Sequence, residues 1–91
     1  MNFLKSKTAV AQDIFQRVLR IVVSLMADDE YNASAPEIVA FLRDKSVRDI
    51  TNAIDGCNSL IEQNRGPMGI MNPQALANVR EALSSELARR R

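Results

Sequence analysis

Apolar residues recur at helical spacing through most of this chain. Val10, Ile14, Val18, Ile21 and Leu25 form one stripe, and Phe15, Leu19, Val22 and Met26 form a second beside it, which predicts a helix over 8–27. Asp13, Arg17, Arg20 and Ser24 leave that helix only a narrow polar edge. An apolar arc so wide is expected to be covered from more than one side, as a central helix or a dimer helix as well. Asp28-Asp29-Glu30 follows; three acids at a helix C-terminus oppose its dipole, so the helix should stop near Ala27. Adjacent acids do not converge on one cation, and they lack the alternate spacing and glycine of a hard-cation loop. They read as a solvated turn.

Tyr31-Asn32-Ala33 is short enough to be extended. Ser34-Ala35-Pro36-Glu37 matches a capping box, with Ser34 as N-cap and proline in the first turn, and losing Ser34 should then cost about 1 kcal/mol. This helix turns Ile38, Phe41 and Leu42 inward and ends near Asp44. Ser46-Val47-Arg48-Asp49 is a second box-like start. From it Val47, Ile50, Ile54, Cys57 and Ile61 follow the helical register, with Arg48, Thr51, Asn52, Asp55 and Ser59 opposite. Gly56 after Asp55 is a turn signal and costs about 1 kcal/mol inside a helix. The unbroken register nevertheless carries the helix to about Ser59. QNRGPMGIMNP, residues 63–73, then interrupts the pattern with two glycines and two prolines. Asn72 caps, and Pro73 opens, a last helix to about residue 88, with Leu76, Val79, Leu83 and Leu87 on one side.

The order is long helix, short extended piece, helix, tight turn, helix, bent apolar strip, helix. It resembles the winged helix–turn–helix superfamily of DNA-binding regulators over about residues 17–88. The carrying segments are VLRIVVSLMADDEYNASAPEIVAFL, KSVRDITNAIDGCNSLI and IEQNRGPMGIMNPQALANVREAL. The resemblance implies a mainly α winged helix–turn–helix fold of about four helices plus a short β-hairpin wing. Its single domain would span 1–91: residues 1–7 flexible, 8–27 the long first helix, 34–60 the helix–turn–helix, 61–71 the wing and 73–88 the C-terminal helix. Gln63–Arg65 would be the outgoing strand, Gly66-Pro67 the bend and Met68–Met71 the returning strand. The helix starting at Ser46 would enter the major groove, with Ser46, Arg48, Thr51 and Asn52 at base edges and phosphates. Lys45 would meet a phosphate, and Arg65 at the wing tip the minor groove or a phosphate. The outer parts of the first and last helices would pair two copies.

Composition tempers this picture. The net charge is +1, and residues 46–63 set Arg48 alone against Asp49, Asp55 and Glu62. DNA affinity comes largely from neutralised phosphates, so a monomer should bind weakly and a dimer or an array of sites is needed. Aromatics make up only 4%, so the core must be aliphatic. Arg89-Arg90-Arg91 reads as a solvated end. One cysteine, Cys57, leaves no internal disulfide and sits at a core spacing. The absence of histidine removes the usual general base and the commonest metal ligand. No nucleophile has an evident base, and no glycine-rich phosphate loop is present. Hence no enzyme activity, catalytic residue, metal or cofactor is expected. Polar residues from Gln12 to Arg20 break the first apolar run before it could cross a membrane, so the chain reads as soluble and cytoplasmic. Two functions follow as expectations. One is a small homodimeric binder of double-stranded DNA, a transcriptional regulator or a plasmid or phage site-binding protein. The alternative is a helical adaptor or inhibitor that binds another protein through its apolar helix faces.

Overall fold

The computed structural model describes residues 7–64 and 71–90, with the backbone alone for Lys7 and Thr8. Four helices occur in these residues: α1 (Lys7–Ala27), α2 (Pro36–Leu42), α3 (Val47–Gln63) and α4 (Pro73–Arg89). The two stripes of α1 meet in one buried band of Ala11, Ile14, Phe15, Val18, Val22 and Leu25. Val10, Leu19, Ile21 and Met26 are half-buried at its margins. Its wide apolar arc has two partners, because α1 packs on both α3 and α4, which also pack on each other. Ile50, Ala53 and Cys57 from α3 and Leu76, Val79, Ala82 and Leu83 from α4 complete the core. Within α3 the buried line runs nearer Ala53 than the sequence suggests, and Val47 at the start of its apolar series is 54% exposed.

The acid run ends α1 by local geometry. The Glu30 amide donates to the Leu25 carbonyl at 2.7 Å and the Asp29 amide to that of Met26 at 3.1 Å, the pair of bonds that closes a helix with a left-handed residue. Asp29 holds that conformation at φ 58°, which aspartate tolerates better than most side chains. Tyr31 then ties the connection to α4: its hydroxyl donates to Glu81 Oε1 at 2.7 Å, with the Asn78 carbonyl oxygen 2.9 Å away. Burial, then the hydrogen bond to Glu81 and that residue's charge, push the phenol well above its ordinary value.

The capping box expected at Ser34 does not form. Pro36 occupies the first helical position, so the extended residue before it, Ala35, becomes the N-cap and has no side chain to offer. Ala35 is buried, whereas exposed Ser34 accepts a hydrogen bond from Arg89 Nη1 at 3.1 Å. α2 ends at Leu42, short of Asp44, and anchors itself with fully buried Ile38 and Leu42. The two later caps form as the sequence indicates. Ser46 Oγ accepts from the Asp49 amide at 3.1 Å; Asn72 Oδ1 accepts from the amides of Gln74 and Ala75.

The winged helix–turn–helix expectation is overturned, since no β-strand occurs among the described residues. Residues 61–63, assigned to the wing, are the last turn of α3, and Asn64 is its C-cap. Tyr31–Ala33, expected as an extended strand, lies in a turn region closed by the Ser34 amide on Asn32 Oδ1 and the Ala35 amide on the Asn32 carbonyl. A wing therefore has no strand there to pair with. Asn64 instead uses its side chain: Nδ2 donates to the Met71 carbonyl at 2.8 Å, and Oδ1 accepts from the Met71 amide at 3.0 Å. One amide thus reproduces the paired bonds that would join two antiparallel strands. The expected bend at Gly66-Pro67, with Arg65 before it and residues 68–70 of the returning strand after it, lies outside the described residues. Nor does α2 pack chiefly on α3, as it would in a helix–turn–helix unit; its main contacts are with α1 and α4.

The C-terminal arginines are not a loose end. Glu86 is buried, its carboxylate accepting from Arg89 Nη2 at 2.7 Å and Arg90 Nε at 2.8 Å. Arg90 also donates to the carbonyls of Leu42 and Lys45, both at 2.6 Å. These atoms include a carbonyl left without a helical partner where α2 ends. Desolvation works to raise the Glu86 pKa, but the hydrogen bonds and charges of the two arginines outweigh it and hold the carboxyl below its ordinary 4.5.

Two stability predictions follow from these caps and pairs. Urea unfolding should show Ser46→Ala costing about 1 kcal/mol and Ser34→Ala less than half of that, because only Ser46 caps a helix; equal losses would contradict the α2 start described above. A group with a depressed folded pKa stabilises fully above its unfolded pKa and loses that stabilisation as pH falls through the folded value. The stability gap between the natural protein and Glu86→Gln should therefore be widest near neutral pH and narrow below about pH 5. A gap constant from pH 7 down to full unfolding would refute the assignment.

Candidate functional site

The residues expected to read DNA differ in exposure and setting. Arg48 and Thr51 are exposed on the first turns of α3. The Ser46 hydroxyl is engaged as the N-cap acceptor, though its own proton remains available to an outside acceptor. Asn52, one turn after Arg48, is half-buried and lines a groove between α1 and α3. That groove, about 440 Å³, is mainly apolar and is floored by Ala11, Phe15, Ala53, Gly56 and Leu60, with Gln12 and Ser59 beside Asn52. Arg65 lies outside the described residues.

Lys45 has a different setting from that of a loose phosphate contact. It is half-buried, its ammonium 4.8 Å from the centre of the Phe41 ring and 3.5 Å from Asp44 Oδ1. The Arg17 guanidinium lies 5.6 Å from the same ring. Arg17, Arg20 and Lys45 line a common cleft of about 370 Å³ between α1 and the end of α2, with Phe41, Val10 and Ile14 as its apolar wall and Asp13 as its one carboxylate. Each cation–π contact at such a partly exposed position contributes about 0.5–1 kcal/mol. Salt bridges between described residues involve Lys45, Arg89 and Arg90; Arg17 and Arg20 take part in none of them.

Arg17, Arg20 and Phe41 are the residues that sequence reasoning missed. The two arginines stood out only as the polar edge of a helix and Phe41 only as core. Their three-residue spacing on α1 was a signal that they share a face. Their convergence with Lys45 depends on how α2 crosses α1.

Elsewhere the side chains serve the fold. Cys57 is fully buried and donates its thiol proton to the Leu76 carbonyl at 3.3 Å. Burial pushes its pKa up against the opposing pull of Arg80, which makes it a poor nucleophile. No His, Cys, Asp or Glu cluster among the described residues is arranged to hold a metal ion. No helix among them is long and apolar enough to cross a membrane. No family model matches the chain, and no curated protein or solved structure is significantly similar to it.

Gly56 gives the groove a direct test. It lies inside α3, and an added methyl group would meet nothing within 4 Å. Gly56→Ala should therefore raise stability by about 0.5–1 kcal/mol through helix propensity alone; a destabilised variant in urea unfolding would show that the groove is narrower than described.

Proposed function

We propose that this protein is a small DNA-binding protein that approaches the duplex with the end of the molecule formed by the 43–46 turn and the first turns of α3. The observation that carries the reading is that this end is fastened in place and keeps a small positive excess, Arg43, Lys45 and Arg48 against Asp44 and Asp49. Arg90 fastens the turn through the Leu42 and Lys45 carbonyls, and Ser46 caps the helix that leaves it. Arg48 and Thr51 are exposed just beyond, Arg43 is exposed just before, and Lys45 lies between. The N-terminal end of α3 adds the positive pole of its dipole. Arg48 is suited to guanine or a phosphate, and Thr51 and the remaining Ser46 proton to a phosphate.

The cation count is modest, so useful affinity calls for two copies on one DNA segment. The exposed surface of α1 supports such pairing. Val23 is 50% exposed, and with half-buried Leu19 it borders a shallow depression flanked by Gln16 and Arg20. A second reading, a helical adaptor that binds another protein, is favoured by the apolar α1–α3 groove and by the exposed Asp55 and Glu62 on α3.

Fluorescence anisotropy with duplexes of about 20 base pairs, two helical turns, tests the class. Binding should be measurable at about 50 mM salt and fall steeply towards about 200 mM. Arg48→Ala should weaken it by about 1–3 kcal/mol if the arginine reads a base, and less if it meets only phosphate. Sedimentation on the same duplex should show two chains bound. No binding even at low salt would end the DNA reading and leave the adaptor.

A further inference from the structure

The cleft around Phe41 has properties that the DNA reading does not require. Three cations line it from two separate elements: Arg17 and Arg20 from α1, and Lys45 from the turn after α2. Two of them are held against one aromatic ring, at 5.6 Å and 4.8 Å from its centre. Like charges lining one cleft repel each other, and an anion placed among them relieves that repulsion. The apolar wall of Phe41, Val10 and Ile14 lowers the local dielectric on one side, which strengthens attraction to an incoming charge. Asp13 opposes it with a single negative charge, and Asp44, beside Lys45, is exposed and well screened.

The geometry points to a phosphate seat: Arg17 and Lys45, ordered by Phe41, together with Arg20 in the same cleft, hold one phosphate group. Arginine provides a planar fork of donors that matches phosphate oxygens, and lysine a compact charge. Phe41 is a positioning residue, since it fixes where Arg17 and Lys45 stand and does not itself bond to the anion. The chemistry suits a phosphodiester of a nucleic-acid backbone or a free phosphate. The first of these rests on the proposed function, in which the seat is a sequence-independent anchor beside the start of α3.

Two probes separate the sources: a duplex of about 20 base pairs and inorganic phosphate, the latter followed through the NMR resonances of the Phe41 ring. Arg20→Gln is the principal variant, because Arg20 is exposed and leaves the ring contacts intact; Arg17→Ala is the second. If the seat holds a DNA phosphate, each variant weakens duplex binding on the order of tenfold at low salt, equally for all sequences, and lowers the salt slope by about 1. Asp13→Asn then tightens binding. If the natural protein binds duplex and Arg20→Gln and Arg17→Ala leave affinity and slope unchanged, the seat is overturned and the DNA reading stands. If duplex binding is absent but phosphate shifts the Phe41 resonances in an Arg20-dependent way, the seat stands and the DNA reading falls. If neither probe binds, both are overturned.

Discussion

The arrangement of this molecule depends on one buried carboxylate and the two arginines that close on it. Glu86, near the end of α4, is out of water and pairs with Arg89 and Arg90. A carboxylate buried at that depth is tolerable only with charge-assisted partners on both oxygens, and here each oxygen has its own guanidinium. The arginines then extend outwards in two directions. Arg89 reaches Ser34 ahead of α2, and Arg90 reaches Leu42 and Lys45 behind it. One ion cluster on α4 thereby straps both ends of the shortest helix.

The strap matters because α2 has little else to hold it. Seven residues are too few for a helix to persist on its own, and its fully buried apolar side chains are Ile38 and Leu42, together contributing about 3–6 kcal/mol. Its position decides two other features. The turn after α2 sets where Ser46 begins α3, and therefore where Arg48 and Thr51 emerge. The half-buried ring of Phe41, carried on α2, sets where Arg17 and Lys45 meet. Loss of the clamp would disturb both the start of α3 and the cationic cleft without touching either directly.

Much of the helical layout was legible in the sequence because its signals are local. The end of α1 near Ala27, the Ser46 cap and the Asn72-Pro73 start each follow from a few neighbouring residues. Reading failed where a local signal had two solutions or where the partner was distant. Ser34 and Ala35 both precede Pro36, and the proline took the first helical position, which leaves the buried alanine as N-cap. The glycines and prolines of 66–73 read as a wing, but α3 runs on through Gln63 and the Asn64 side chain, a partner that no local pattern marks, bridges to Met71. The terminal arginines looked solvated because Glu86, Leu42 and Lys45 are brought to them only by the fold. The same holds for Arg17 and Arg20, whose site exists only once α2 crosses α1.

On the DNA reading, the distribution of charge also favours one direction of approach. The cations Arg17, Arg20, Arg43, Lys45 and Arg48 outnumber Asp13, Asp44 and Asp49 at the start of α3 and the surfaces beside it, whereas Asp55 and Glu62 are exposed farther along that helix, where Arg80 meets Asn58. The helix dipole has the same sense, positive at Ser46 and negative towards Asn64. A polyanion is therefore favoured at the beginning of α3 over its later turns. A helix lying full length in a major groove would bring Asp55 and Glu62 towards phosphates. An end-on approach keeps those acids away from the backbone and uses the N-terminal residues alone. It limits how many base pairs one copy can read, which is a physical reason for such a protein to work in pairs.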